Sequence, residues 1–255
     1  MTSPSKFEAF AQLHQPGAPL LLHNIWDAGS AQAVATAGAP AIATGSSPLA
    51  AAQGYPDGEV IPLRRLLETV RQIVEAVQVP VSVDFESGYA GNDLPLLKEN
   101  IDRLLDTGAV GINFEDQQIG EGGVYSLEVQ AERIAAVRQV ADSRQLPLFI
   151  NARTDLFLQT QADQHADVLP EAIRRAQAYK EAGASGFFAV GLSELTLIKT
   201  VCEAVALPVN VLLRPGSVTY QDLAACGAAR ISQGPYVYRA LMEQLRDQIS
   251  LFYDA

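Results

Sequence analysis

Eight short apolar runs, each followed by a stretch with helical spacing of its apolar positions, cross the chain from one end to the other. After a leading helix at about 6–14, the pattern predicts strands at 20–26, 40–45, 80–85, 109–115, 148–152, 185–190, 208–212 and 228–232. Leu66, Leu67, Val70, Ile73, Val74 and Val77 form the plainest apolar stripe and predict a helix over 63–78. Further helices are predicted from Gly29, over 94–107, 127–141, 170–182, 194–205 and 220–226, and from 235 towards 251, while 46–59 reads as a polar loop. The joints Ala37-Gly38-Ala39, Thr107-Gly108-Ala109, Ala182-Gly183-Ala184 and Cys226-Gly227-Ala228 repeat one device: a glycine past a helix end takes the left-handed conformation that stops it. Eight strand–helix units in 255 residues predict an α/β fold, a single (βα)8 TIM-type barrel over residues 1–255. A doubly wound sheet would carry a glycine-rich phosphate turn after its first strand, and Trp26-Asp27-Ala28-Gly29-Ser30 is no such turn.

Composition narrows the partners. A formal charge of −11 argues against nucleic acid and anionic membrane, and no apolar run has the length of a bilayer span. The opening Met-Thr-Ser-Pro-Ser-Lys lacks a signal-peptide core, and Cys202 and Cys226 are too few for a disulfide framework, so a soluble cytoplasmic protein with reduced thiols is expected.

The chemistry gathers just past the predicted strand ends, which in a parallel barrel converge on one mouth. Ser82, Asp84 and Glu86 share one strand face, as do Asn113 and Glu115, and Asn151 and Arg153. Several carboxylates at one mouth need counter-charge, and magnesium, held through one or two carboxylates plus water, supplies it. The structural alternative is a salt-bridge network in which Arg153 pairs with Glu115 or Asp84. Thr44-Gly45-Ser46-Ser47 offers an uncharged nest of amides and hydroxyls for a carboxylate, or simply a turn of small residues. Tyr55-Pro56-Asp57-Gly58 is a turn that brings an acid towards the mouth. His14, His23 and His165 fall on a helix, within a strand and in a loop, and Lys6, Lys98, Lys180 and Lys199 all map to helices, which disfavours a Schiff-base aldolase.

Taken in order, Trp26-Asp27-Ala28, Thr44-Gly45-Ser46-Ser47, Gly54-Tyr55-Pro56-Asp57, Val83-Asp84-Phe85-Glu86, Asn113-Phe114-Glu115-Asp116, Asn151-Ala152-Arg153-Thr154-Asp155 and Pro208-Val209-Asn210 resemble the isocitrate lyase/phosphoenolpyruvate mutase superfamily over residues 20–240. The resemblance implies a phosphoenolpyruvate/pyruvate-binding barrel that uses Mg2+, or Mn2+ in its place, on a small α-keto acid or its enolate. It implies Asp84 and Glu86 as metal carboxylates, Glu115 as an outer acid, Arg153 facing the substrate and Asp57 as a loop acid. Thr44, Gly45, Ser46 and Ser47 would cradle the substrate carboxylate, with Trp26 as a wall and Asn210 as a polar contact. A homo-oligomer, dimer or tetramer, is also implied. Lyases of the superfamily carry a Lys-Lys/Arg-Cys-Gly-His loop after strand four, and its phosphonomutases a Lys and an Asn; residues 116–125 contain no Lys, Cys, His or Asn. Decarboxylation of a 3-carboxy-2-keto acid asks least of that loop, with Glu121, Tyr125, Tyr55 or a metal-bound water as proton donor. Mutase-type or 2-methylisocitrate lyase-type activity and a non-catalytic α-keto acid-binding barrel stand as alternatives. So does a phosphosugar barrel, which would use the Arg-Pro-Gly-Ser of 214–217 and the Ser-Gln-Gly-Pro of 232–235.

Overall fold

The computed structural model describes residues 5–216 and 218–253; Ser217, the last residue of the 214–217 stretch, lies outside the described residues, as do 1–4 and 254–255. Helix α1 (Lys6–Gln12) is followed by β1 (Leu20–Leu22), β2 (Asn24–Ile25), α2 (Ala28–Thr36), β3 (Ile42–Thr44), α3 (Ser46–Ala52) and α4 (Leu63–Ala76). Next come β4 (Val81–Asp84), α5 (Leu94–Leu105), β5 (Gly111–Glu115), α6 (Leu127–Ser143), β6 (Phe149–Thr154) and α7 (His165–Glu181). The chain continues through β7 (Gly186–Ala189), α8 (Leu195–Ala204), β8 (Val209–Leu212), α9 (Tyr220–Ala225), β9 (Arg230–Ser232) and α10 (Tyr236–Ser250).

All neighbouring strands are parallel, in the order β1-β9-β8-β7-β6-β5-β4-β3-β2. The predicted first strand is broken at His23: β1 pairs with β9 and β2 with β3, so its two halves close the ring into the expected TIM-type barrel. Strand alternation sorts the side chains. Val83, Ile112, Phe114, Ile150, Ala152, Phe187, Val209, Val211 and Ile231 point outward into the main apolar core beneath the helices. The inward positions include Asp84, Asn113, Glu115, Asn151, Arg153, Asn210 and Arg230, and the register sets Glu115 beside Arg153, Arg153 beside Phe188, and Asn210 beside Arg230.

Helix α1 plugs the amino-terminal end of the barrel with Phe10, fully buried among Leu20, Leu22, Ala41, Ala43, Val110 and Phe149. Gly111 makes room for it, since a Cβ there would stand 3.1 Å from the Phe10 ring. With the floor closed, the carboxyl ends of the strands are left as the accessible mouth. Two boundaries differ from the sequence pattern. Residues 46–52, expected in a loop, form α3, whose proline lies in the first turn and whose alanines favour the helix. Helix α7 begins at His165, a turn before the expected start at Pro170; buried His165 bonds the Phe157 carbonyl at 2.8 Å and anchors that extra turn.

Candidate active site at the carboxyl ends of the strands

A cavity of about 320 Å3 lies at this mouth, lined on one side by Ser46, Ser47, Asp57, Asp84, Asn113 and Arg153. Leu158, Phe188, Val190 and Leu212 give it an apolar wall, and Arg214 and Arg239 bring two further cations to it.

Asp84, the last residue of β4, is set by β3 and the turn that follows. Its amide donates to Thr44 Oγ1 at 2.9 Å and its Oδ2 accepts from the Ser46 amide at 3.0 Å. Oδ1 is buried without a hydrogen-bond partner among the described residues. The predicted nest is therefore spent largely within the protein: the Gly45 amide bonds Ile25 O at 3.2 Å and the Ser46 amide holds Asp84.

Arg153 is held in a fork. Its Nε and Nη2 donate to the two carboxylate oxygens of Asp155 at 2.6 and 2.9 Å, and Nη1 meets Glu115 at 2.8 Å. Asp155 is fixed from behind, because its amide donates to Asp116 Oδ1 at 2.9 Å while Arg175 and Tyr179 donate to Asp116 Oδ2 at 3.0 and 2.8 Å. The fork engages three of the five guanidinium N–H donors, and Arg153 lines the cavity. Deeper in the barrel, fully buried Arg230 donates to Asn113 Oδ1 at 3.0 Å, and its Nε and Nη1 have no partner among the described residues.

Glu86 has another occupation. One oxygen accepts from the Gly58 and Glu59 amides at 3.0 and 2.8 Å, and the other from the Tyr89 hydroxyl at 3.0 Å. Glu59, Glu86 and Tyr89 all adopt left-handed backbone conformations (φ 58°, 48° and 57°), at a cost of about 1–3 kcal/mol each for side-chain-bearing residues. Glu86 thus leaves the regular strand, and its carboxylate turns towards the 57–59 segment.

The electrostatics are lopsided. Burial, with Asp84 and Asp57 close by, pushes Glu86 up to about 8. Burial and Asp84 raise Asp57, with Ser46 and Gly58 offsetting part of the shift; Asp57 keeps access to solvent through the mouth. Burial raises Glu115 strongly against the pull of Arg153. Neighbouring carboxylates that resist ionisation together are relieved by a divalent cation. Among the described residues no three His, Cys, Asp or Glu side chains form a ready-made cage. Magnesium needs none, since one or two carboxylates suffice when water and ligand oxygens complete the shell. The unpartnered Asp84 Oδ1 fits that demand.

Of the residues the sequence singled out, Gly45, Ser46, Ser47, Asp57, Asp84 and Arg153 are brought together around the cavity. Thr44 is buried behind Asp84, Glu115 beneath Arg153, and Asn210 against Ser232 at 3.2 Å. Trp26 packs on Tyr238 with ring centroids 5.0 Å apart, away from the lining. Glu121, Tyr125 and Tyr55 do not line the cavity either. The loop carrying the first two closes on itself, through Gln118 N to Gly123 O at 3.0 Å and Tyr125 N to Asp116 O at 2.8 Å. Arg214, Ser232, Gly234 and Pro235, from the two stretches the sequence offered for a phosphosugar, also line the cavity, while Asn24, Phe188, Tyr236 and Arg239 line it unforeseen. Inward alternation could have flagged Asn24 and Phe188, but nothing local marks Tyr236 or Arg239.

The sequence matches the phosphoenolpyruvate phosphomutase family over residues 10–252. A solved Burkholderia cenocepacia J2315 protein, described as a candidate phosphonomutase, is 42% identical with a TM-score of 0.92, covering 96% of this chain and 98% of that one. An uncharacterized Mycobacterium tuberculosis protein (strain CDC 1551 / Oshkosh) is 32% identical over 232 residues, 91% of this chain and 84% of the relative. Oxaloacetate decarboxylase of Rhodopseudomonas palustris (strain BisB5) is 30% identical over 207 residues, 79% of this chain and 68% of the relative.

Proposed function

The chain belongs to the phosphoenolpyruvate phosphomutase family, and on that footing we propose that it is a magnesium-dependent lyase that decarboxylates a small 3-carboxy-2-keto acid of the oxaloacetate type. The observation that carries the reading is the buried, unpartnered Asp84 Oδ1 on a cavity that Arg153 also lines. Magnesium, or manganese in its place, would be held through Asp84 and supplies Lewis-acid stabilisation of negative charge on the keto oxygen.

The residues of the chain do the rest. The Ser46 amide orients Asp84, so that Oδ1 rather than Oδ2 is left for a ligand. Arg153, immobilised by Asp155 and Glu115, presents fixed positive charge where the substrate gains negative charge. When the bond from C3 to its carboxylate breaks, the electron pair passes into the C2–C3 bond, the keto oxygen takes the charge and CO2 departs. Asp57, with its raised proton affinity, returns a proton to C3 and gives the 2-keto acid product. The apolar wall of Leu158, Phe188, Val190 and Leu212 limits water around the developing charge.

Small 2-keto acids, phosphonopyruvate and 2-methylisocitrate incubated with magnesium and followed by NMR test the reading. Oxaloacetate is expected to release pyruvate while 2-methylisocitrate stays intact, because no Lys, Cys or His stands in residues 116–125. Turnover of 2-methylisocitrate, or none of any 2-keto acid, would defeat it.

A further inference from the structure

Glu86 sits two residues from Asp84, where a second acid would be expected to serve a cation, yet both of its oxygens are spent on hydrogen bonds to the protein. We propose that Glu86 and Tyr89 are positioning residues: they clasp the backbone of residues 57–59 and so hold Asp57 over the cavity beside Asp84.

Among the described residues, the main-chain bonds that tie residues 56–60 to the barrel are those that Gly58 and Glu59 donate to Glu86. The Asp57 side chain adds a hydrogen bond with Ser46. The clasp itself is braced from below. The Asn100 amide donates to the carbonyls of Gly88 and Tyr89 at 3.1 and 3.0 Å, and the Arg133 guanidinium donates to those of Ser87 and Gly91. Glu59 answers in the other direction, its Oε1 accepting from the Tyr89 amide at 2.8 Å. Glu59, Glu86 and Tyr89 are also three of the four non-glycine residues with left-handed backbone among those described; the fourth, Gln145, follows the end of α6. Unfavourable conformations concentrated in one hydrogen-bonded unit mark a geometry that the surroundings impose, here on the segment that carries Asp57. In this arrangement Glu86 acts as an acceptor, and its charge towards a cation is secondary.

The inference rests on the proposed role of Asp57, and substitutions separate the two. Glutamine keeps an oxygen for the Gly58 and Glu59 amides while removing the charge. Glu86→Gln should therefore keep kcat on oxaloacetate close to that of the native chain. Glu86→Ala should lower kcat on the order of 10–100-fold, the scale for removing a group that orients a functional side chain from behind. Tyr89→Phe removes one bond and no carboxylate, and should show a smaller loss in the same direction; it also carries the test should the alanine variant not fold. In the ligand-free protein, exchange of the Gly58 and Glu59 amides should accelerate in Glu86→Ala and stay slow in Glu86→Gln. Adding Asp57→Asn to Glu86→Ala should lower kcat no further than the larger single loss, because the two act through one segment. Equal loss in the glutamine and alanine variants, or Gly58 and Glu59 amides unmoved by Glu86→Ala, would overturn the clasp. Native protein that ignores magnesium and oxalate while its amides respond as described would overturn the proposed function and leave the clasp standing.

Discussion

Arginine pinned by two carboxylates is a fixed charge, and lysine in its place would be a flexible point charge unable to fill the Asp155 fork. If Arg153 faces charge that develops on the substrate, Arg153→Lys should lower kcat by roughly a hundredfold with little change in KM, the scale of one lost oxyanion donor. Were it only a strut between Glu115 and Asp155, the same substitution would lower the melting temperature and spare kcat. Steady-state kinetics beside a thermal melt decides between them. Arg153 and Asp84 were legible in the sequence because strand alternation fixes which side chains point inward. Depth was not legible: Glu115 and Asn210 share the inward faces but lie below or behind the lining, since alternation says nothing of height along the barrel axis or of who claims each oxygen. Glu86 shows the limit most clearly. Asp84 and Glu86 read as a pair on one face, but the left-handed turn at Glu86 re-aims its carboxylate towards Gly58 and Glu59.

The leading helix α1 shows what an element contributes that its sequence does not announce. His14, just beyond it, stacks on Phe149 at 4.2 Å, bonds the Phe10 carbonyl through Nδ1 at 2.8 Å and is buried below Arg230. Burial, with the charge of Arg230, pulls its pKa from 6.5 down to about 3. An unfolded chain takes up this proton near the higher value and the folded barrel only near the lower. The stability linked to His14 is thus whole above about 6.5 and is lost as the pH falls towards 3. His14→Phe keeps a ring against Phe149 and removes the titration, so its melting temperature should fall less between pH 7 and 4 than that of the native chain. Parallel melts across that range check this, and equal slopes would contradict it. Strand and helix identities were legible, α3 excepted, because the apolar period changes at each joint. The break at His23 was not, because it arises from the two halves of one strand pairing with β9 and β3, a consequence of closure that no local window contains.

On the scale of the whole molecule, an acidic chain of net charge −11 concentrates Asp57, Asp84, Glu86, Glu115 and Asp155 at one end of a barrel whose other end is plugged. Among the described residues, half-buried Arg153 and fully buried Arg230 are cations that face this group, and Asp84 is among the charges that act on both. The barrel was predictable from eight strand–helix units. The pinning of Arg153 from behind by Asp116, Arg175 and Tyr179 was not, since it joins β5 to α7 across residues far apart in the chain. Among the described residues no helix is long and apolar enough to cross a membrane. The central claim is that a divalent cation bound through Asp84 completes this charge arrangement. Calorimetry of magnesium with oxalate on the native chain and on Asp84→Ala tests it most directly. Binding to the native chain, with at least a tenfold loss in a variant that still melts cooperatively, is the predicted result. Equal affinity in the two proteins would contradict the account.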